Sequence, residues 1–164
     1  LFKNIILYII KMKEEIEIIE KVKLLPGQLD GNLNENILDN LKKIYEGKCI
    51  KEGYIIKIIK IIDRSLGEVS LIDFDSNTIY IVKFLANVYY PRENEIIKDC
   101  NITLINSIGI FAEKEFLTII ITSNNLDKNY EINYKNKSKI DINVNKIKFE
   151  LNDKKIRILG NVIT

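Results

Sequence analysis

The sequence predicts a strand-rich α+β protein in two parts: a strand, a helix and three strands, then five short strands. Three observations carry that prediction. Isoleucine and valine crowd into runs whose apolar residues recur at every second position, the period of a half-buried strand. One stretch, near residues 33–45, spaces its apolar residues as a helix does. Turn chemistry separates the runs at Leu25-Pro26-Gly27, Asp30-Gly31, Asp75-Ser76-Asn77 and Asn152-Asp153.

The first part opens with Glu14 to Lys23, where charges alternate with Ile16, Ile18 and Val22, an exposed strand. The helix follows. Asn32 is placed to cap it with Glu35 three residues on, in capping-box register. Leu33, Ile37, Leu38, Leu41, Ile44 and Tyr45 share one face, and Gly47 ends it. After Gly53-Tyr54 comes Ile55-Ile56-Lys57-Ile58-Ile59-Lys60-Ile61-Ile62, whose lysines three apart suit a helix. Six β-branched isoleucines in those eight positions favour a strand. Val69 to Phe74 is the next strand. Thr78 to Tyr90 is the last and longest, with Tyr80, Val82, Phe84, Ala86 and Val88 on one face. Pro91 stops it, because proline has no N–H to give to a ladder.

After Pro91 every apolar segment is short and strand-like. Ile96 to Ile105 is the first and Ile108 to Ala112 the second, with a turn at Glu113-Lys114-Glu115. Phe116 to Thr122 is the third, and Ser123 to Lys139 is a polar loop. Ile140, Ile142 and Val144 alternate, then Ile147, Phe149 and Leu151 alternate in the opposite phase, which requires a bulge between them. Ile156 to Ile163 is the last strand. Five strands with a long loop before the fourth suit a small closed barrel of OB type.

The chain has 164 residues, 46% hydrophobic and 29% charged, enough for one ordinary domain or two small ones. Its formal charge is +2, so the total carries no strong polyanion signal; up to Glu95 there are 14 basic and 15 acidic residues, after it 11 and 8. There is no histidine, and Cys49 and Cys100 lie far apart, which excludes Ser-His and Cys-His catalysis and argues against structural zinc. Two free thiols suit a reducing compartment, and a disulfide between them stays open. Gly47-Lys48 follows no glycine-rich loop, so no phosphate-binding motif is present and no cofactor is implied. Asp73-Phe74-Asp75-Ser76-Asn77 lacks the glycine and glutamate of a calcium loop and reads as an acidic hairpin turn. Residues 1–11 precede the lone methionine, Met12, and read as an N-terminal extension: a fragment edge, a processed end or sequence upstream of the true start. The run Ile5 to Ile10 within it is too short to span a membrane and lacks a cleavage site, so no membrane partner is expected. Heavy use of Ile, Asn and Lys points to an AT-rich genome, as large DNA viruses and some parasites have.

Certain residues, taken in order, resemble one family. A helix ends in Glu46-Gly47 and Gly53-Tyr54-Ile55 then enters a strand. Pro91 is followed by Glu95 ahead of the barrel. Ser107-Ile108-Gly109-Ile110-Phe111-Ala112 and Ile156-Arg157-Ile158-Leu159-Gly160-Asn161-Val162 sit where the barrel's second and last strands belong. Together, over residues 14 to 164, they resemble the stalk subunit of multisubunit DNA-directed RNA polymerases, the seventh subunit of the eukaryotic polymerase II or its archaeal counterpart. The sequence departs from that pattern where Lys114-Glu115 replaces a Gly-Pro turn and Cys100 stands near an expected glycine. The resemblance implies a tip domain over residues 12–92, docking on the largest polymerase subunits and on a second stalk subunit where one exists, and an OB domain over 93–164 guiding nascent single-stranded RNA. It implies a non-catalytic role and an intracellular site: virion or host cytoplasm for a viral protein, the nucleus otherwise.

OB barrels hold single strands by aromatic stacking and a basic groove. Candidate RNA contacts are accordingly Phe111, Lys114 and Phe116 around the hairpin, and Lys135, Lys137 and Lys139 in the loop before the fourth strand. Both phenylalanines also suit a packed core, and the lysines an ordinary solvated face. Candidate docking residues are Pro26, Gly27, Gly47, Gly53 and Tyr54, the glycines as backbone devices. Two other functions compete. A free-standing single-strand RNA-binding OB protein of translation or RNA decay explains the barrel but not residues 14–90. A small nuclease using Glu68, Asp73 and Asp75 lacks any motif.

Overall fold

The computed structural model describes residues 13–69 and 76–163. The chain divides into two compact units, one up to Tyr89 and one from Tyr90.

The first unit holds β1 (Lys13–Leu24), a 3-10 turn (Pro26–Gln28), α1 (Leu33–Tyr45), β2 (Cys49–Ile50), β3 (Gly53–Arg64), β4 (Glu68–Val69) and β5 (Thr78–Tyr89). Its sheet runs β1-β5-β3-β2, with β4 added to β5, every pairing antiparallel. Alternation works here as the sequence requires. Tyr80, Val82, Phe84, Ala86 and Val88 of β5 are buried with Ile18, Val22 and Leu24 of β1, and α1 lays Ile37 and Leu41 on them. Fully burying each such side chain contributes roughly 1.5–3 kcal/mol.

β3 explains its ambiguous sequence. Against the unbroken ladder of β5 its register slips between Ile55 and Lys57, between Ile58 and Lys60, and between Ile61 and Asp63. One extra residue enters every third position. Ile55 and Ile58 therefore return to the buried face with a period of three, Ile61 follows half-buried, and Lys57 and Lys60 return to the open one. The helix-like lysine spacing is a bulged strand. Each bulge frees backbone groups, and the Glu46 carboxylate takes one, accepting from the Ile58 N–H at 2.7 Å.

Three expectations change here. The Asn32 side chain makes no capping bond. Asp30 Oδ1 accepts from the Asn32 N–H and the Asn36 side-chain amide, both at 2.9 Å, and so fixes the turn into the helix without capping it. A residue two positions earlier reaches these donors because the Asp30-Gly31 turn folds it back. A short strand, β2, was not foreseen; two residues carry too little pattern. The strand expected over Val69–Phe74 is seen only as Glu68–Val69, and its remainder, with Asp73 and Asp75, lies outside the described residues.

The second unit holds β6 (Ile96–Asn106), β7 (Gly109–Lys114), β8 (Leu117–Thr122), α2 (Tyr130–Tyr134), β9 (Lys139–Lys148) and β10 (Ile156–Val162). They close into a barrel in the order β10-β8-β7-β6-β9, with β10 antiparallel to β9 and parallel to β8. This is the expected OB architecture. Ile97, Cys100, Ile110, Ala112, Leu117, Ile119, Ile121, Ile140, Ile142, Val144, Ile156 and Ile158 are the buried side chains of its strands. β6 serves two neighbours, β9 along its first half and β7 along its second, and it slips register at Ile97/Cys100 and Ile102/Leu104. Asp99, in the first bulge, has φ 54°, and its freed N–H donates to Asp141 Oδ1 at 2.8 Å. The phase slip read between Val144 and Ile147 is present: Leu159 pairs with Lys146 and Gly160 with Val144, so Asn145 is the extra residue.

The polar loop over 123–139 is partly ordered differently from expectation. It contains a 3-10 turn (Ser123–Asn125) and α2. One apolar anchor, the buried Tyr130, holds α2, its hydroxyl donating to the Asn106 carbonyl at 2.6 Å. The hairpin turn is Glu115-Phe116 instead of Glu113–Glu115, with Lys114 paired to Leu117 and Glu115 at φ 49°. Leu151 sits in a turn, exposed, outside any strand.

Gly109 opens β7 at φ 151°, and a Cβ there would stand 1.9 Å from the Ile121 carbonyl oxygen. Gly109→Ala should cost about 3 kcal/mol or more in denaturant unfolding. Glu46→Ala, which orphans the Ile58 donor, should cost about 1–3 kcal/mol.

Candidate nucleic-acid interface

Strands of a closed barrel present every second side chain outward, and register says which of these stand side by side. Ile110 and Ala112 of β7 are buried, so Phe111 points out; Leu117, Ile119 and Ile121 of β8 are buried, so Ile120 points out. Leu104 pairs with Phe111, Phe111 with Ile120, Ile120 with Leu159, and Leu159 with Lys146. One row thus crosses four strands on the barrel's exterior and ends on a cation. Leu104 is 52% exposed and Leu159 42%, while Phe111 and Ile120 are half-buried between them. The adjacent row reads Asn101, Glu113, Thr118, Arg157, Lys148. In it Glu113 pairs with Lys155 at 2.9 Å, and Arg157 with Asp153 at 2.9 Å and Glu150 at 3.9 Å. Asp153 is held below the ordinary carboxylate range, first by the Glu150 N–H and then by Arg157. Lys146 and Lys148 are exposed and have no ion-pair partner among the described residues.

The expected RNA contacts scatter over this surface. Phe111 is outward and central. Lys114 points the opposite way along β7, and its Nζ donates to the Lys98 carbonyl at 2.5 Å. Phe116 is half-buried in the hairpin turn. Lys135 closes α2, and Lys137 lies over the Tyr134 ring at 4.6 Å. Lys139 opens β9 opposite Asn101, and so shares the row of Glu113. The structure therefore does not bring Phe111, Lys114 and Phe116 onto one face. Leu104, Ile120, Leu159, Lys146 and Lys148 escaped the sequence reading because only register joins residues so far apart in the chain.

The docking candidates separate as well. Gly47, Gly53 and Tyr54 form one group. β2 pairs Cys49 with Tyr54 and Ile50 with Gly53. The Gly47 N–H donates to the Ile55 carbonyl at 2.9 Å. Gly53, at φ 135°, leaves room for the Tyr89 carbonyl, which a Cβ would meet at 2.6 Å. Burial, and then neighbouring Cys49, raises the Tyr54 hydroxyl above its ordinary pKa. Pro26 and Gly27 lie beyond Leu24, which pairs with Thr78, whereas Tyr54 pairs with Tyr89. The two groups thus mark opposite ends of β5, about 36 Å apart by strand rise.

Among the described residues no cluster of three or more His, Cys, Asp or Glu is placed to hold a metal ion, and no helix is long and apolar enough to cross a membrane. Residues 19–73 match the SHS2 domain found in the N terminus of Rpb7p/Rpc25p/MJ0397. The chain is 30% identical over 157 residues to a protein of Acanthamoeba polyphaga mimivirus described as DNA-directed RNA polymerase subunit L376, covering 88% of this chain and 78% of that protein. It is 29% identical over 102 residues to DNA-directed RNA polymerase II subunit 7 of Arabidopsis thaliana, covering 62% of this chain and 56% of that one. With the Glycine max subunit RPB7 it shares 26% over 103 residues, 62% of this chain and 57% of the relative. An SHS2-type unit followed by an OB barrel defines the class, a two-part accessory subunit of a multisubunit polymerase. The chain belongs to the subunit 7 family of DNA-directed RNA polymerases.

Inside the barrel, burial pushes the Cys100 thiol from 9.0 up to about 11, with Lys114 opposing and Asp141 and Asp99 adding to the rise. The unfolded chain sheds this proton near pH 9 while the folded chain keeps it, so folded stability should fall as pH climbs from 9 towards 11. Cys100→Ala should flatten that part of the stability profile followed by denaturant unfolding at stepped pH.

Proposed function

We propose that this chain works as a non-catalytic subunit of a DNA-directed RNA polymerase. In this reading residues 12–92 dock on the largest polymerase subunits and on a second stalk subunit where one exists, and residues 93–164 guide nascent single-stranded RNA. The observation that carries it is the match to a polymerase subunit along 88% of the chain, through both units. Two surfaces support it. α1 covers one face of the first sheet. On the other face Ile19 is 63% exposed and Ile81 48%, with Ile62 and Ile59 exposed on neighbouring β3. Such a patch on a lone domain marks an interaction site. The barrel's outward apolar row beside Lys146 and Lys148 suits a polyanion with unstacked bases. The compartment follows the polymerase served: virion or host cytoplasm for a viral enzyme, the nucleus for a cellular one.

Affinity capture of the tagged protein from its native cell or virion, read by mass spectrometry, should recover the two large polymerase subunits in stoichiometric amount. Recovery of RNA with ribosomal or decay factors, and no polymerase, would sink this reading in favour of a free RNA-binding protein.

A further inference from the structure

We propose that the helix-free face of the first sheet is a self-association surface. In the free protein a second copy of this chain covers it, face to face, about a two-fold axis running along β5. This pairing does not depend on the polymerase reading, and it withholds the face from any other partner until the two copies part.

Register lays the face out row by row. Each bulge of β3 sets two residues against one of β5: Ile56 and Lys57 against Asn87, Ile59 and Lys60 against Leu85, Ile62 and Asp63 against Lys83. β1 puts Glu15, Glu17, Ile19 and Lys21 beside Asn87, Leu85, Lys83 and Ile81. The exposed Ile19, Ile59, Ile62 and Ile81, with half-buried Leu85, make an apolar centre. Charges flank it in opposite order. Along β1 they run Glu15, Glu17, Lys21, and along β3 they run Lys57, Lys60, Asp63. Glu15, Lys21, Lys57 and Lys60 have no ion-pair partner among the described residues. Glu15 and Lys57 share a row but stand on either side of β5, about 9.6 Å apart by strand spacing, and do not meet within one copy.

Turning a second copy about β5 exchanges the flanks and keeps the rows. The second copy's β1 acids then come over Lys57 and Lys60, its Ile19 over Ile62, and its Lys21 within one row of Asp63. Each contact occurs twice, as an isologous interface requires. Lys83 lies on the axis, but Glu17 holds it at 2.5 Å and offsets its charge against its own mate. A partner of one sign would suit only part of each flank, whereas a second copy suits both along their length. Stacked sheets pack about 10 Å apart with their strands within about 30°. A face about 14 Å wide and 27 Å long offers roughly 400 Å² per copy, half of a standard stable interface of about 800 Å² per partner. The dimer is therefore weak and separates on dilution.

The test is sedimentation equilibrium of the purified full chain over a wide concentration range, at low and at high salt. A reversible monomer–dimer equilibrium, weakened by salt, is expected. Ile81→Glu should leave a monomer at every concentration; its new carboxylate stands beside Lys21, so the strand is kept, and circular dichroism checks the fold. Lys57→Glu should weaken dimerisation roughly ten-fold, and Glu15→Lys equally, as two exposed pairs turn from attraction to repulsion. The double variant Glu15→Lys/Lys57→Glu should return it to within about two-fold of the unaltered chain. A chain that stays monomeric throughout overturns the proposal and leaves the face to a partner of different sequence. A dimer that Ile81→Glu does not disturb overturns it too, since the contact then lies elsewhere. Failure of the double variant to restore pairing overturns the axis along β5. None of these results bears on recovery of polymerase subunits by affinity capture, so the two readings fail separately.

Discussion

A β-strand offers its side chains to two faces in strict alternation, and both units of this chain depend on where that alternation is broken. The strands of a small barrel must bend sharply to close it, and bulges supply that bend. β6 does this by slipping register twice, pairing first with β9 and then with β7. The slip at Asn145 lets β9 turn from β6 to β10. In the first unit β3 carries three such slips against β5, which itself stays straight. Bulging increases local twist and leaves backbone donors exposed, so each slip needs a partner. Asp141 serves Asp99, and Glu46 serves Ile58. These carboxylates are part of the fold's geometry and not surface decoration.

The same constraint decides how much of the architecture was legible in the sequence. Strands that alternate at period two, such as β5 and β8, announce themselves. The opposed phases of Val144 and Ile147 announced the bulge between them. β3 did not, because an extra residue at every third position mimics helical spacing, and only its β-branched content favoured a strand. α2 was hidden for another reason. It is five residues long and rests on one buried tyrosine, so it has no apolar stripe to detect. The Asp30 contacts were missed because a turn, which composition does not describe in three dimensions, brings the side chain to Asn32 and Asn36.

Site residues were harder to read than elements. Linear neighbours such as Phe111, Lys114 and Phe116 look like one cluster, yet in a strand an odd separation puts two side chains on opposite faces. Phe111 and Lys114 are three apart, and Lys114 ends on the Lys98 carbonyl. The converse also holds: Leu104, Phe111, Ile120 and Leu159 are scattered over 56 positions and become neighbours through register alone. The docking glycines show a third case. Gly47 and Gly53 matter through the backbone, which lets β2 and β3 turn tightly beside Tyr89. Their presence in a family signature speaks first of this turn. The exposed isoleucines of the helix-free face stand as better candidates for contact with a partner than the glycines, because they bring apolar area to be removed from water.

The charge distribution of the barrel bears on what kind of RNA contact it can make. A site meant to hold a defined sequence needs buried donors and acceptors aimed at base edges, and unsatisfied groups of that kind are costly in the free protein. The exterior row has none. A site meant to hold any sequence tightly needs several aromatic platforms and many free cations. Here one aromatic stands in the row, and acidic neighbours neutralise two of the nearby basic residues, Arg157 and Lys155. In the proposed reading, so sparse a surface suits a weak contact with RNA and not a tight one. For a subunit tethered to its polymerase that weakness is affordable, because the transcript is delivered at high local concentration and needs no affinity of its own to arrive. Tight binding would oppose the transcript's advance, so in the proposed role the pairing of Arg157 and Lys155 with Asp153, Glu150 and Glu113 limits the cations open to phosphate.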